Sequence, residues 1–387
     1  MTETVREIRD VPAIVHCSTL AECADGSLLC VWYEGPYETS SRTVLRCARR
    51  SADSSDRREA GNAPAGRAVG AGLEARWSAP ETIFALDGVP LGNPVLWRDG
   101  SGMLRLLFAM LLAESWTETV LLELRSDDDG LSWGAPTLFL GRKGFMPKTR
   151  PLVMPDGRLI VPLYHEANYC PYVLLVDDPS APYSGTLVAE TMARGTVIQP
   201  AIVERADGSL FMLARSNRES AWSSVSPNGG RSWSICRPTG IPNPDSAIDL
   251  IRCGGSSDFT GESSKLIGAR APLLLTGNFQ ATGRSRLEAA FSTDEGRSWN
   301  RRIVLADGGG EYSYPSALAS RDGAIWVSYT EDRYRIAVRR IEVDDVLAGH
   351  AEGGGAGDVL YTDPGGTGGN GGAGEVSCTD SSGGEVS

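Results

Sequence analysis

The chain has 387 residues, 41% of them hydrophobic and 22% charged, with a formal net charge of -12. That charge, offset by no Lys/Arg cluster, argues against nucleic acid and anionic membrane surfaces as partners, and no apolar run reaches the ~18 residues of a membrane span. Three histidines, and eight cysteines without a CxxC pair or a His at zinc spacing, call for no metal, and no other cofactor is expected.

The N-terminus, MTETVREIRDVPAIV, lacks an apolar core of signal-peptide length, so a cytoplasmic location is expected, with residues 1–11 as an N-terminal extension. The cysteines sit mostly in strand-like apolar runs such as SLLCVWY and read as small buried hydrophobes of a reducing compartment.

From there an Asp-Gly turn followed by an apolar strand recurs along the chain. It appears as ADGSLLCVWY from Ala24, RDGSGMLRLLFAM from Arg98, PDGRLIVPLY from Pro155, ADGSLFMLAR from Ala206 and RDGAIWVSY from Arg321. Asp-Gly between apolar strands is the strongest short-range hairpin signal. The unit that lacks it has the strand ARAPLLLTGN near Ala271, after a Gly/Ser-rich insertion at about 253–268.

A second, independent repeat lies between these turns. SDDDGLSW from Ser126, SPNGGRSW from Ser226 and STDEGRSW from Ser292 share the pattern S-x-[DN]-x-G-x-S-W. Ser and Asp/Asn side chains bond turn backbone, Gly takes the positive-φ position and Trp drops into apolar space between sheets. A fourth copy is split: ARRSAD ends at Asp53 and RWSAPETI resumes at Arg76, so residues 54–75 read as an insertion into the turn. Val176-Asp177-Asp178-Pro179-Ser180 reads as an eroded fifth copy. Two hairpins per unit make four strands, and six units between residues 12 and 345 predict an all-β chain folded as a six-bladed β-propeller. The Gly-rich stretch 346–387 is expected to be a disordered tail.

These boxes resemble the Asp boxes, or BNR repeats, of the sialidase superfamily, and the resemblance spans about 12–344. It implies a pocket at the propeller axis built from an Arg cluster that holds a carboxylate, a Tyr nucleophile polarised by a Glu, and an acidic acid/base. Guanidinium forks suit carboxylates, and a neutral Tyr approaches an anionic sugar without repulsion. Counting from the Asp-Gly turns, the resemblance puts the nucleophile at Tyr314 in GEYSYPSALASRDG, one Arg at Arg215 in LARSN and another at Arg284 in RSRL, with Arg286 as an off-by-one rival. It also exposes two departures. His16 stands where the first Arg belongs and Gln199 where the Tyr-activating Glu belongs; Gln can donate to a phenolic oxygen but cannot take its proton. Glu38 in YEGPYETSSR is the expected acid/base.

Polar-then-Pro pairs at matching points of the units (Asn93-Pro94, Arg150-Pro151, Gln199-Pro200, Tyr314-Pro315) should converge on the axis. Lys148, Arg150, Asn93, His165 and Asp249 join the ligand-binding candidates, with Glu166 and Asp245 in the same polar runs. The expected partner is a glycan or small acidic sugar, and the expected activity that of a sialidase-like glycoside hydrolase. Two alternatives stand beside it: a hydrolase or lyase on another acidic glycan using His165, Glu166 or Glu38, and a propeller that binds sugar without turnover.

Overall fold

The computed structural model describes residues 2–8, 13–52, 76–181, 185–188, 195–254, 271–349 and 360–361. Within them the chain is nearly all β, and six antiparallel sheets form the blades of a propeller. From axis to rim, blade 1 is Ile14–Glu22, Leu28–Gly35, Val44–Arg50 and Glu81–Phe84; blade 2 is Leu91–Arg98, Leu104–Leu111, Thr119–Ser126 and Thr137–Leu140. Blade 3 splits its inner strand into Phe145–Pro147 and Leu152–Val153, followed by Leu159–His165, Cys170–Val176 and Thr186–Val188. Blade 4 is Val197–Glu204, Leu210–Ser216, Ser220–Ser226 and Arg237–Pro242, and blade 5 is Asp249–Arg252, Leu273–Gly277, Arg286–Ser292 and Arg301–Asp307.

Blade 6 corrects one expectation. Its inner three strands are Tyr312–Ala319, Ile325–Glu331 and Arg335–Ile341, but its outer strand is Thr2–Glu7, paired in antiparallel register with Arg335–Arg339. The stretch read as an N-terminal extension therefore closes the ring. The pairing covers the outward side of Arg335–Ile341, and charge pins the added strand to blade 1: Arg6 forks Glu34 at 2.9 and 3.1 Å, while Glu3 accepts from Arg50 Nε at 2.9 Å and Trp77 Nε1 at 2.8 Å. A strand too polar for a core is thus held by its side chains.

Blades pack face to face, so strands near the axis are covered on both sides and read as apolar runs without alternation; every residue of Leu91–Arg98 is buried. The Asp-Gly turns close the inner hairpins with positive φ at Gly26, Gly157, Gly208 and Gly323, and at Gly102 rather than Gly100 in blade 2. The boxes close the outer hairpins at the same end of the barrel. In the first box, Asp128 Oδ1 accepts from Ser126 Oγ at 2.7 Å and Ser132 N at 2.8 Å, Oδ2 accepts from Ser132 Oγ at 2.6 Å, and Ser126 Oγ accepts from Gly130 N at 2.8 Å. Asn228 and Asp294 repeat the arrangement.

The box glycine is required twice over. Gly130, Gly230 and Gly296 have φ of 78°, 86° and 82°, and a Cβ on each would lie 2.6 Å from Leu29, 2.9 Å from Leu175 and 2.8 Å from Phe211, all on the preceding blade. Acids inside two boxes also bridge blades, since Asp129 accepts from Ala24 N at 2.8 Å and Glu295 from Ala206 N at 3.0 Å. The box tryptophans differ in depth: Trp299 and Trp233 are buried, Trp133 half-buried. At the eroded fifth copy, Asp178 Oδ1 still accepts from Ser180 N at 2.9 Å.

The ends of both insertions meet. Ser51 N donates to Arg76 O at 3.4 Å, Arg50 bridges Trp77, and Cys253 N donates to Pro272 O at 2.8 Å; residues 53–75 and 255–270 themselves lie outside the described residues. The six-residue helix Val343–Ala348 carries ordered chain past 345, and Leu360–Tyr361 pairs with Ser298–Trp299. Both are structure within the stretch expected to be disordered, of which the remainder (350–359 and 362–387) lies outside the described residues.

Candidate active site at the propeller axis

The end of the barrel opposite the turns is where the inner strands begin, and four of them begin with the same irregularity. Cys17, Asn93, Gln199 and Tyr314 have positive φ (55°, 47°, 53° and 55°), each inside a register shift of its strand pair. A bulge of this kind re-aims a side chain, here toward the axis, and costs about 1–3 kcal/mol of backbone strain for a non-glycine residue. Proline follows three of the four, a residue with no ladder hydrogen to lose. This is the physical content of the polar-then-Pro pattern.

Three of these side chains, those of Asn93, Gln199 and Tyr314, join one network. Tyr314 Oη accepts from Gln199 Nε2 at 3.3 Å and Arg215 Nη1 at 3.4 Å. Arg215 also donates to Gln199 Oε1 at 3.2 Å and through Nε to Asp245 Oδ1 at 2.7 Å, where Tyr169 Oη donates as well at 2.7 Å. Because Arg215 holds the amide oxygen, the Gln199 amide nitrogen faces two phenols: Tyr314 and, at 3.4 Å, Tyr164. Asn93 Nδ2 donates to the same Tyr164 oxygen at 3.1 Å. Arg284 donates to the Asp245 carbonyl at 2.8 Å and to Glu311 Oε1 at 3.1 Å, whereas its rival Arg286 is directed at Glu288 and Asp307 at 3.6 and 3.9 Å. Glu38 is ion-paired with Arg333, whose other nitrogen lies 3.7 Å from Glu311. One network thus runs from Glu38 through Arg333, Glu311, Arg284, Asp245 and Arg215 to Tyr314, Gln199, Tyr164 and Asn93.

His16 lies on Tyr314, ring centroids 4.2 Å apart at 55°, with Nδ1 3.0 Å from Thr330 Oγ1 and Nε2 buried without a hydrogen-bond partner among the described residues. Its pKa is pushed well below the ordinary value by burial and then by Arg333, Arg284, Lys148 and Arg215, so the imidazole is neutral near pH 7. Lys148, 5% exposed, donates to the Pro315 carbonyl at 3.0 Å and sits 5.6 Å from the centre of the Tyr314 ring. It has no carboxylate partner among the described residues. A buried cation left so is costly unless something anionic joins it.

Three expected residues stand apart. Strand alternation sends Tyr164 to the site and its neighbour His165 to the other face, edge-on to Phe145 at 5.0 Å with Nδ1 accepting from Asn168 N at 3.2 Å. Both carboxylate oxygens of Asp249 are taken by backbone, from Leu250 N at 3.0 Å and Ala317 N of blade 6 at 2.7 Å. Arg150 lies in the break of the blade 3 inner strand and donates across the axis to Leu20 O at 3.0 Å. Sequence reasoning in turn missed Tyr169, Glu311 and Arg333 as members of the site. Glu311 opens the inner strand of blade 6, and the others sit on hairpin tips joining second to third strands; the signal available was that these tips fall at the end where inner strands begin.

A family model of the BNR repeat-like domain matches residues 26–327, most of the chain, and the chain belongs to that family. Its propeller with BNR boxes is the fold seen in solved sialidases. Among solved structures it resembles the Hadza microbial sialidase Hz136, at 17% identity and a TM-score of 0.68 over 89% of this chain and 69% of that one. The NanB sialidase of Streptococcus pneumoniae is similar at 12% identity and 0.68, over 89% and 71%. The leech intramolecular trans-sialidase, solved with 2,7-anhydro-Neu5Ac, is similar at 13% identity and 0.67, over 90% and 71%. At these identities the likeness is one of fold. No curated protein matches the chain by sequence.

Proposed function

We propose that the axial pocket binds the carboxylate of a terminal acidic sugar, and that Tyr314 attacks the anomeric carbon in a retaining, sialidase-type hydrolysis. The observation that carries this reading is the Tyr314 oxygen itself, approached by two N–H donors, Gln199 and Arg215, beneath a neutral His16 and beside an uncompensated Lys148. Arg215, Arg284 and Lys148 supply cationic donors for the carboxylate, each charged hydrogen bond being worth roughly 1.5–3 kcal/mol. The two donors on Tyr314 stabilise charge on its oxygen once the proton has left. Gln199 cannot receive that proton, which makes turnover slow and supports a second reading, binding without turnover.

The test is aryl release from a panel of sialosides and uronic-acid glycosides, together with intact-mass detection of a difluorosialic acid adduct. An adduct that disappears in Tyr314→Phe supports hydrolysis. Calorimetric binding of free sialic acid with neither adduct nor release supports the second reading, and no binding of any acidic sugar refutes both.

A further inference from the structure

The pocket lacks a base at position 199, yet it is not short of carboxylates. Asp245 is held by Arg215 and Tyr169, Glu311 by Arg284, Arg333 and Ser313 Oγ, and Glu38 by Arg333. Glu166 differs. Its backbone is fixed, N donating to Gly144 O at 3.0 Å and O accepting from Tyr169 N at 3.2 Å, but its half-buried carboxylate has no hydrogen bond or ion pair among the described residues.

Glu166 opens the tight turn that ends at Tyr169, whose hydroxyl lies on Asp245, and it follows Tyr164 and His165 at the end of a blade 3 strand. It lies within electrostatic reach of Tyr164, Tyr169, Arg215 and Asp245, of which Tyr164 bonds Gln199 and Arg215 bonds both Gln199 and Tyr314. We propose that Glu166 is the proton acceptor for Tyr314, taking over the work that Gln199 cannot do. This rests on the Tyr314 reading above.

In the step, the Tyr314 hydroxyl proton passes to the Glu166 carboxylate directly or through one water, and the phenolic oxygen forms a bond to the anomeric carbon. The glycosidic C–O bond breaks with its electron pair going to the leaving oxygen, so that an aryl leaving group departs as its phenolate without a further proton. Burial raises the Glu166 pKa; Arg215 partly offsets this and Asp245 adds to it. A raised pKa makes Glu166 a stronger base than an ordinary carboxylate, and activity should climb with pH as it ionises.

The experiment measures kcat for an aryl sialoside against pH in the full chain, with adduct formation on Tyr314 followed in parallel. Glu166→Gln should lower kcat by about 10²–10⁴-fold and remove the acidic limb, leaving sialic acid binding in place. Gln199→Glu in the Glu166→Gln background should restore activity, because it puts a carboxylate where Gln199 Nε2 now stands, 3.3 Å from Tyr314 Oη. A Glu166→Gln enzyme with unchanged kcat and pH profile overturns the assignment of Glu166 while leaving Tyr314 standing. A parent chain that binds sialic acid but forms neither adduct nor aryl product overturns the Tyr314 reading and this inference with it.

Discussion

The two ends of the propeller are built on opposite principles. At the end with the Asp-Gly turns and boxes, polar side chains bond mainly within their own turn or to the neighbouring blade, positive φ falls largely on glycine, and one pattern recurs from blade to blade. At the other end positive φ falls on Cys17, Asn93, Gln199 and Tyr314, a different residue in each of four blades, a cation is buried without a carboxylate among the described residues, and a histidine is held neutral. The first end closes on itself, whereas the second leaves Lys148 with a backbone carbonyl and no carboxylate among the described residues. Strain and unmatched charge concentrated in one ring mark the site more sharply than the repeat does.

That contrast can be broken most forcefully from the box end. Trp299→Ala empties a fully buried indole site and should cost about 3–5 kcal/mol, with affinity for acidic sugars unchanged in the folded fraction; half-buried Trp133→Ala should cost less. Thermal melts with calorimetric titration of sialic acid read both quantities, and lost affinity at an unchanged melting temperature would show that the boxes are not purely structural.

The axial end should respond in reverse. Lys148→Met removes an uncompensated buried cation, so melting temperature should hold or rise while binding of a carboxylate sugar weakens by roughly 1.5–3 kcal/mol. Arg215→Ala should weaken binding by a similar amount, but at a cost in stability, since it leaves the Asp245 carboxylate with Tyr169 but without its cation. A Lys148→Met protein that binds as well as the parent would remove the case for an anionic ligand.

Acid sharpens the comparison further. Ser132 and then Ser126 hold the Asp128 carboxyl down at about 2, and Ser298 and Ser292, against burial, also lower Asp294. A depressed carboxyl contributes stability above its unfolded value, here 3.8 for Asp128, and that contribution is lost as pH falls through about 2. Urea midpoints should therefore drop between about pH 4 and pH 2, and less steeply in Asp128→Asn. The smallest effect is expected from deleting residues 54–75, whose flanks meet at Ser51 and Arg76. Soluble yield and melting temperature should stay at parental values.

The parts of the molecule legible in the sequence are those whose physics is local. An Asp-Gly turn needs a positive-φ residue between two apolar strands, and a box needs Ser, Asp, Gly and Trp within eight positions, so both declare themselves in any one copy and six-fold repetition then dictates the ring. The bulges were half legible: polar-then-Pro marked Asn93, Gln199 and Tyr314, but the same pair at Arg150-Pro151 falls in a strand break and lacks a positive φ. Counting from the turn set Tyr314 and Gln199 in the same ring, where they meet at 3.3 Å.

What tertiary structure alone decided is which groups were already spent. Asp249 looked like a pocket acid until its oxygens were found on the backbone of blade 6, and Glu38 reads as an acid/base in sequence although Arg333, 295 residues away, holds it. The polar stretch at residues 2–7 gave no sign that it completes a blade whose other strands lie more than 300 residues later. Pairing across such distances depends on where the ring brings the chain back. A sequence determines what a side chain can bond, and only the closed fold determines which bond has been made.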